Sequence, residues 1–106
     1  MKTINMEEAK LSCKLPTAEL QQRKKTVVDE LKHLVLERIE TDHGFKYKFE
    51  GSDKMLDILN SFIKTERLCC DFFVFNLTVA DERNFTWLEL SGPEGTKDFI
   101  TNEIEF

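Results

Sequence analysis

From Ala9 the chain alternates apolar with polar residues: Ala9, Leu11, Cys13 and Leu15 against Lys10, Ser12 and Lys14. A period of two predicts a strand with one buried face, and Cys13 lies on that face. Pro16 and Thr17 end the run, and Thr17 suits a helix N-cap with Glu19 in the first turn. Leu20, Lys24, Val27, Val28, Leu31, Leu34 and Val35 then recur at helical spacing, with Lys24 as the one polar interruption. That helix is expected to end around residues 34 to 36. A hairpin should follow over residues 35 to 50, because "VLERIE" meets the turn-forming "TDHG" and "FKYKFE" returns with Phe45, Tyr47 and Phe49 on one face. After Gly51-Ser52-Asp53, the stripe Met55, Leu59, Phe62, Glu66 and Cys69 predicts a second helix over residues 53 to 69. "DFFVFNLTV" reads as a strand with Phe73, Phe75, Leu77 and Val79 on one face, and "FTWLELSG" as another. Gly92-Pro93-Glu94-Gly95 then breaks the chain before a short closing helix, roughly residues 95 to 104. Residues 1 to 8 carry little pattern and are expected to be a loose lead-in.

The predicted order is β-α-β-β-α-β-β-α. Its first six elements make the split β-α-β arrangement of a ferredoxin-like two-layer sandwich, an α+β fold with helices on one face of an antiparallel sheet. The added strand would extend the sheet by pairing with the fourth, and the C-terminal helix closes the domain. At 106 residues the chain is expected to be one domain, spanning residues 1 to 106.

Composition narrows the function classes. The formal net charge is −5, whereas nucleic-acid binding relies on Lys and Arg to neutralise phosphates, so no nucleic-acid partner is expected. The one basic cluster, Arg23-Lys24-Lys25, lies in the first helical pattern and reads as a solvated face. No apolar run approaches the roughly 20 residues of a membrane span, and the N-terminus lacks the apolar stretch of a signal peptide. A cytoplasmic location is therefore expected, with three free thiols rather than disulfides.

Those thiols are the candidate chemistry. Cys69 and Cys70 are adjacent, and the split β-α-β topology carries the end of the first strand, with Cys13, to the junction after the second helix. Glu66 lies three and four residues before the pair, on the same helical stripe. The alternative is a plain core, since free cysteine often acts as a small apolar filler and Glu66 could snorkel or pair with Arg67 or a helix-one lysine. A nucleophilic cysteine wants cations or a helix N-terminus. Here the pair sits at a helix C-terminus between Glu66 and Asp71, with His33 and His43 both placed for the surface. A thiol-dependent redox or lyase-like enzyme, with Glu66 as acid/base, is thus disfavoured. A soft ion deprotonates its own thiols, so Cys13, Cys69, Cys70 and Glu66 suit Hg(II), Cu(I), trivalent arsenic or, with a fourth ligand, zinc.

Three segments carry a family resemblance: "CKLPTAEL" at 13 to 20, "ERLCCDFFVFNLTV" at 66 to 79 and "LELSGPEGTKDFI" at 88 to 100. Together they resemble an uncharacterised family of small bacterial proteins with a C-x-L…A-E-L segment, an E-x-x-C-C-x-F segment and a late G-P-x-G. Some members are associated with mercury-responsive or other thiophilic-metal-responsive regulators. The resemblance implies a shared site at Cys13, Glu66, Cys69 and Cys70. Asp71 departs from the pattern, where proline or a small residue is frequent. The expected function is binding or transfer of a soft metal or metalloid ion. The alternative is a non-catalytic interaction module, with Phe72/Val74 and Phe85/Trp87 on an outer sheet face that could support a homodimer.

Overall fold

The computed structural model describes residues 17–80 and 84–104, apart from the side chains of Cys69 and Glu103. The lead-in at 1 to 8, the strand expected at 9 to 15 and Cys13 with it lie outside the described residues. Within them the chain is a two-layer α+β sandwich, three helices and a four-stranded antiparallel sheet.

Helix α1, Ala18–Lys32, begins where Thr17 Oγ1 accepts a hydrogen bond from the Leu20 N–H at 3.0 Å. It stops two to four residues short of the expected end, where the His33 N–H turns back to the carbonyls of Glu30 and Leu31. Leu34 consequently leaves the apolar stripe and is exposed. Strands β1, Glu37–Glu40, and β2, Gly44–Glu50, form the expected hairpin, with Glu40 opposite Phe45. Helix α2, Asp53–Cys69, is capped by Ser52, whose Oγ accepts from the Met55 N–H at 3.1 Å. Strands β3, Val74–Ala80, and β4, Phe85–Ser91, pair antiparallel. A single turn, α3 (Thr96–Phe99), runs into a π-helical turn over Ile100–Ile104.

The strand order is β1-β2-β4-β3. The strand expected to extend the sheet does pair with the one before it, but on its other side it also pairs with β2 along all seven residues, Gly44 to Glu50 against Ser91 to Phe85. It is therefore central, in the slot between β2 and β3 that the split β-α-β reading gave to the first strand. The periodicity supports this place: Thr86, Leu88 and Leu90 are all buried, as a strand paired on both edges under a helix layer requires.

The inner face of the sheet presents Phe45, Tyr47, Phe49, Leu88 and Leu90 to Val28 and Leu31 of α1 and to Met55, Leu59 and Phe62 of α2. Phe73, Phe99, Ile100 and Ile104 complete the same cluster. Fully burying a Leu or Phe side chain contributes about 1.5–3 kcal/mol, so this cluster is the main source of stability. No described element covers the other face. There Lys48 Nζ lies 3.8 Å from the centre of the Phe85 ring and Lys46 Nζ 5.0 Å from that of Trp87. The aliphatic stems of the two lysines shield these rings. Val74 shares this face and is exposed. Phe72 does not, because it precedes β3 and its ring packs edge-on against Phe99 at 5.0 Å.

Candidate functional site

The last turn of α2 delivers two of the expected site residues to one place. Position 66 continues the stripe Met55, Leu59 and Phe62, so Glu66 is carried into the core with them and has no exposed surface. Four residues on, the Cys70 N–H donates to the Glu66 carbonyl at 2.6 Å and closes the helix. Cys70 itself is 1% exposed.

Helix α1 supplies the counter-charge. Lys24 Nζ lies 3.7 Å from Glu66 Oε1 and 3.9 Å from Cys70 Sγ, and it sits 5.8 Å from the centre of the Phe99 ring. The Lys24 side chain is only 11% exposed. This overturns the reading of Arg23-Lys24-Lys25 as a solvated face. Successive helical residues are set about 100° apart, so Lys24 falls on the stripe of Leu20, Val28 and Leu31 while its two neighbours point outward. Arg23 and Lys25 are indeed exposed, and Lys25 pairs with Asp29 at 3.4 Å. Of the partners considered for Glu66, the helix-one lysine is the one present, and Arg67 is exposed.

The carboxyl is incompletely served. Neither Glu66 oxygen receives a hydrogen bond among the described residues. Burial pushes its pKa above the usual carboxylate range, and the Lys24 ammonium pulls the other way without cancelling the shift. A buried polar group without a donor is costly in a purely structural role, which makes Glu66 the chemical focus of the region.

Cys70 is disulfide-bonded, so the expectation of free thiols is not met at this position. The other two cysteines of the chain are Cys13 and Cys69; Cys13 and the Cys69 side chain lie outside the described residues. Of the four expected site residues, the structure therefore brings Glu66 and Cys70 together, with Lys24 between them. Among the described residues, no group of three or more His, Cys, Asp and Glu side chains is arranged to hold a metal ion. His33 and His43 are exposed, and His33 Nδ1 lies 2.8 Å from the Asp29 carbonyl. Asp71 is exposed as well.

Lys24 is the residue that sequence reasoning passed over as part of a charge run. Its signal was visible, since it is the single polar position on the stripe of α1. A second hollow lies between the β1–β2 turn and the Gly92–Gly95 loop, lined by Asp42, His43, Pro93 and Thr96. Two polar groups there are already engaged: Thr96 Oγ1 donates to the Pro93 carbonyl at 2.6 Å and Lys97 holds Glu40 at 2.8 Å. The chemistry gathers at the end of α2 instead.

Among the described residues no helix is long and apolar enough to cross a membrane. Comparisons with protein families, with curated proteins and with solved structures found no match to the chain.

Proposed function

We propose that the protein binds or hands over a soft metal or metalloid ion through Cys70 and its companion cysteines, Cys13 and Cys69, with Glu66 as the neighbouring carboxyl. One observation carries this reading: Cys70 is disulfide-bonded, beside a buried carboxyl whose oxygens receive no hydrogen bond among the described residues. Two sulfurs close enough to bond each other are, once reduced, two thiols close enough to share one ion. Soft ions prefer such ligands to the oxygen and nitrogen donors elsewhere on the surface. The disulfide is then the oxidised, ion-free form of the site.

The same disulfide favours a second reading, a thiol–disulfide exchange protein in which Glu66 takes up the thiol proton. Native mass spectrometry of the reduced chain separates the two. With one equivalent of Hg(II), arsenite or Zn(II), the first reading expects one bound ion, weakened in Cys13→Ser and lost in Cys70→Ser. Three freely titratable thiols in the presence of every ion would remove it and leave the exchange reading.

A further inference from the structure

The two edges of the sheet are built differently, and we infer that the β3 edge pairs with the β3 edge of a second copy of this chain. This contact is a sheet edge, distinct from the outer sheet face that carries Phe85 and Trp87. β1, at one end of the strand order, is four residues long and carries Glu37, Arg38 and Glu40, all exposed. Short length and charge are how natural sheets keep an edge from pairing with another chain. β3, at the other end, runs for seven residues, Val74–Ala80, with no charged residue, proline or glycine. Among the described residues β3 pairs with β4 alone, so its second edge has no strand beside it. Val74 and Val79 on it are 60% and 43% exposed. A long, uncharged edge of this kind is a template for strand pairing.

The residues of β3 are complementary to themselves. Two-fold pairing about Leu77 is antiparallel and sets Leu77 opposite its own copy, Phe75 opposite Val79, Asn76 opposite Thr78 and Val74 opposite Ala80. Like meets like at every position: apolar against apolar, and amide against hydroxyl. The faces agree as well. Phe75, Leu77 and Val79 stand beside the buried Leu90, Leu88 and Thr86 of β4 and so lie on the helix side. Phe75 and Leu77 are only half-buried and Val79 is exposed, because β3 is the margin of the sheet. Pairing continues their apolar layer across the two-fold axis and covers it. Asn76 and Thr78 lie on the opposite face, both exposed, where an amide and a hydroxyl can hydrogen-bond across strands.

Charge points to the same contact. The chain carries a net charge of −5, so two copies must meet where acidic groups are not set against each other. The β3 edge brings none, whereas the β1 edge would oppose Glu37 and Glu40 to their own copies. With the β1 edge blocked, each chain offers one pairable edge. Association therefore closes at two copies and does not grow into a fibre.

The test is sedimentation velocity on the full-length chain, from low micromolar to near-millimolar concentration, beside two charge variants. One is Asn76→Lys with Thr78→Lys, the other Asn76→Glu with Thr78→Glu, both at exposed positions outside the core. Wild type should pass from monomer to dimer over this range with no larger species. Each variant alone sets two like-charged pairs directly opposite each other and should weaken the dimer by about tenfold or more. An equal mixture of the two sets Lys against Glu at both pairs and should restore a dimer of mixed composition. Circular dichroism confirms that each variant is folded. A wild type that stays monomeric overturns the inference, and protected β3 amides in that monomer would give the edge to residues 9 to 15 of the same chain. A dimer that both folded variants leave unchanged overturns it as well and moves the contact to another surface. So does a mixture of folded variants that forms no dimer.

Discussion

At the scale of single residues, the unusual feature is a carboxyl that burial has made harder to ionise. Glu66 is fully buried, receives no hydrogen bond among the described residues and has Lys24 as its counter-charge. Because burial raises its pKa in the fold, the folded chain keeps the proton over a pH range in which the unfolded chain has lost it. The associated stability is present in full below the ordinary carboxylate range and is lost as pH rises through the higher folded value. Thermal unfolding followed from mildly acidic to neutral pH should therefore show a declining midpoint, and Glu66→Gln, which cannot ionise, should flatten that decline. An unchanged slope in the variant would assign the decline to other groups. The carboxyl itself was legible from its place on the helical stripe, as was the need for a partner. What the sequence left open was which of several lysines or arginines answered it. That choice depends on how α1 is rotated against α2, which is a property of the packed pair and not of either segment.

At the scale of elements, local signals were strong wherever a cap or a period decided the outcome. Thr17 begins α1 as its side-chain oxygen suggested, Ser52 caps α2 in the same manner, and the alternation of Phe45, Tyr47 and Phe49 is the buried face of β2. Gly44 is different. It reads as the last residue of a turn, yet it opens β2, and its importance is close approach: a Cβ there would run into the Leu90 carbonyl oxygen. That oxygen belongs to backbone and cannot swing aside, so a side chain must part β2 from β4 at their shared end. Gly44→Ala is expected to cost about 3 kcal/mol or more, in the upper tail of single-substitution effects. Ser52→Ala, which removes only a cap, should cost about 1 kcal/mol. Denaturant midpoints of the two variants check the order, and a Gly44→Ala midpoint no lower than that of Ser52→Ala would contradict the contact.

At the scale of the whole molecule, the element order from residue 17 onward was readable but the strand order was not. Seven-residue strands with one apolar face can be permuted within a sheet without changing any local pattern. β4 is central because both of its edges are paired, a fact that resides in long-range hydrogen bonds rather than in Phe85–Ser91 alone. The same limit applied to the cysteines, since their proximity was argued from a strand slot that β4 fills. The disulfide at Cys70 offers a route to test the site through global stability. Removing a native disulfide from a small domain typically costs 2–5 kcal/mol, so reduction should lower the unfolding midpoint by roughly ten degrees or more. An ion that binds only the reduced native site adds stability by mass action, about 2.7 kcal/mol at one hundred times its dissociation constant. Arsenite should therefore return much of the lost midpoint to the reduced protein and none to the oxidised protein, whose sulfurs are already bonded. Cys70→Ser should start near the reduced midpoint and gain nothing from arsenite. If the reduced wild type also gains nothing, the thiols do not share an ion, and the disulfide is the working form of the site.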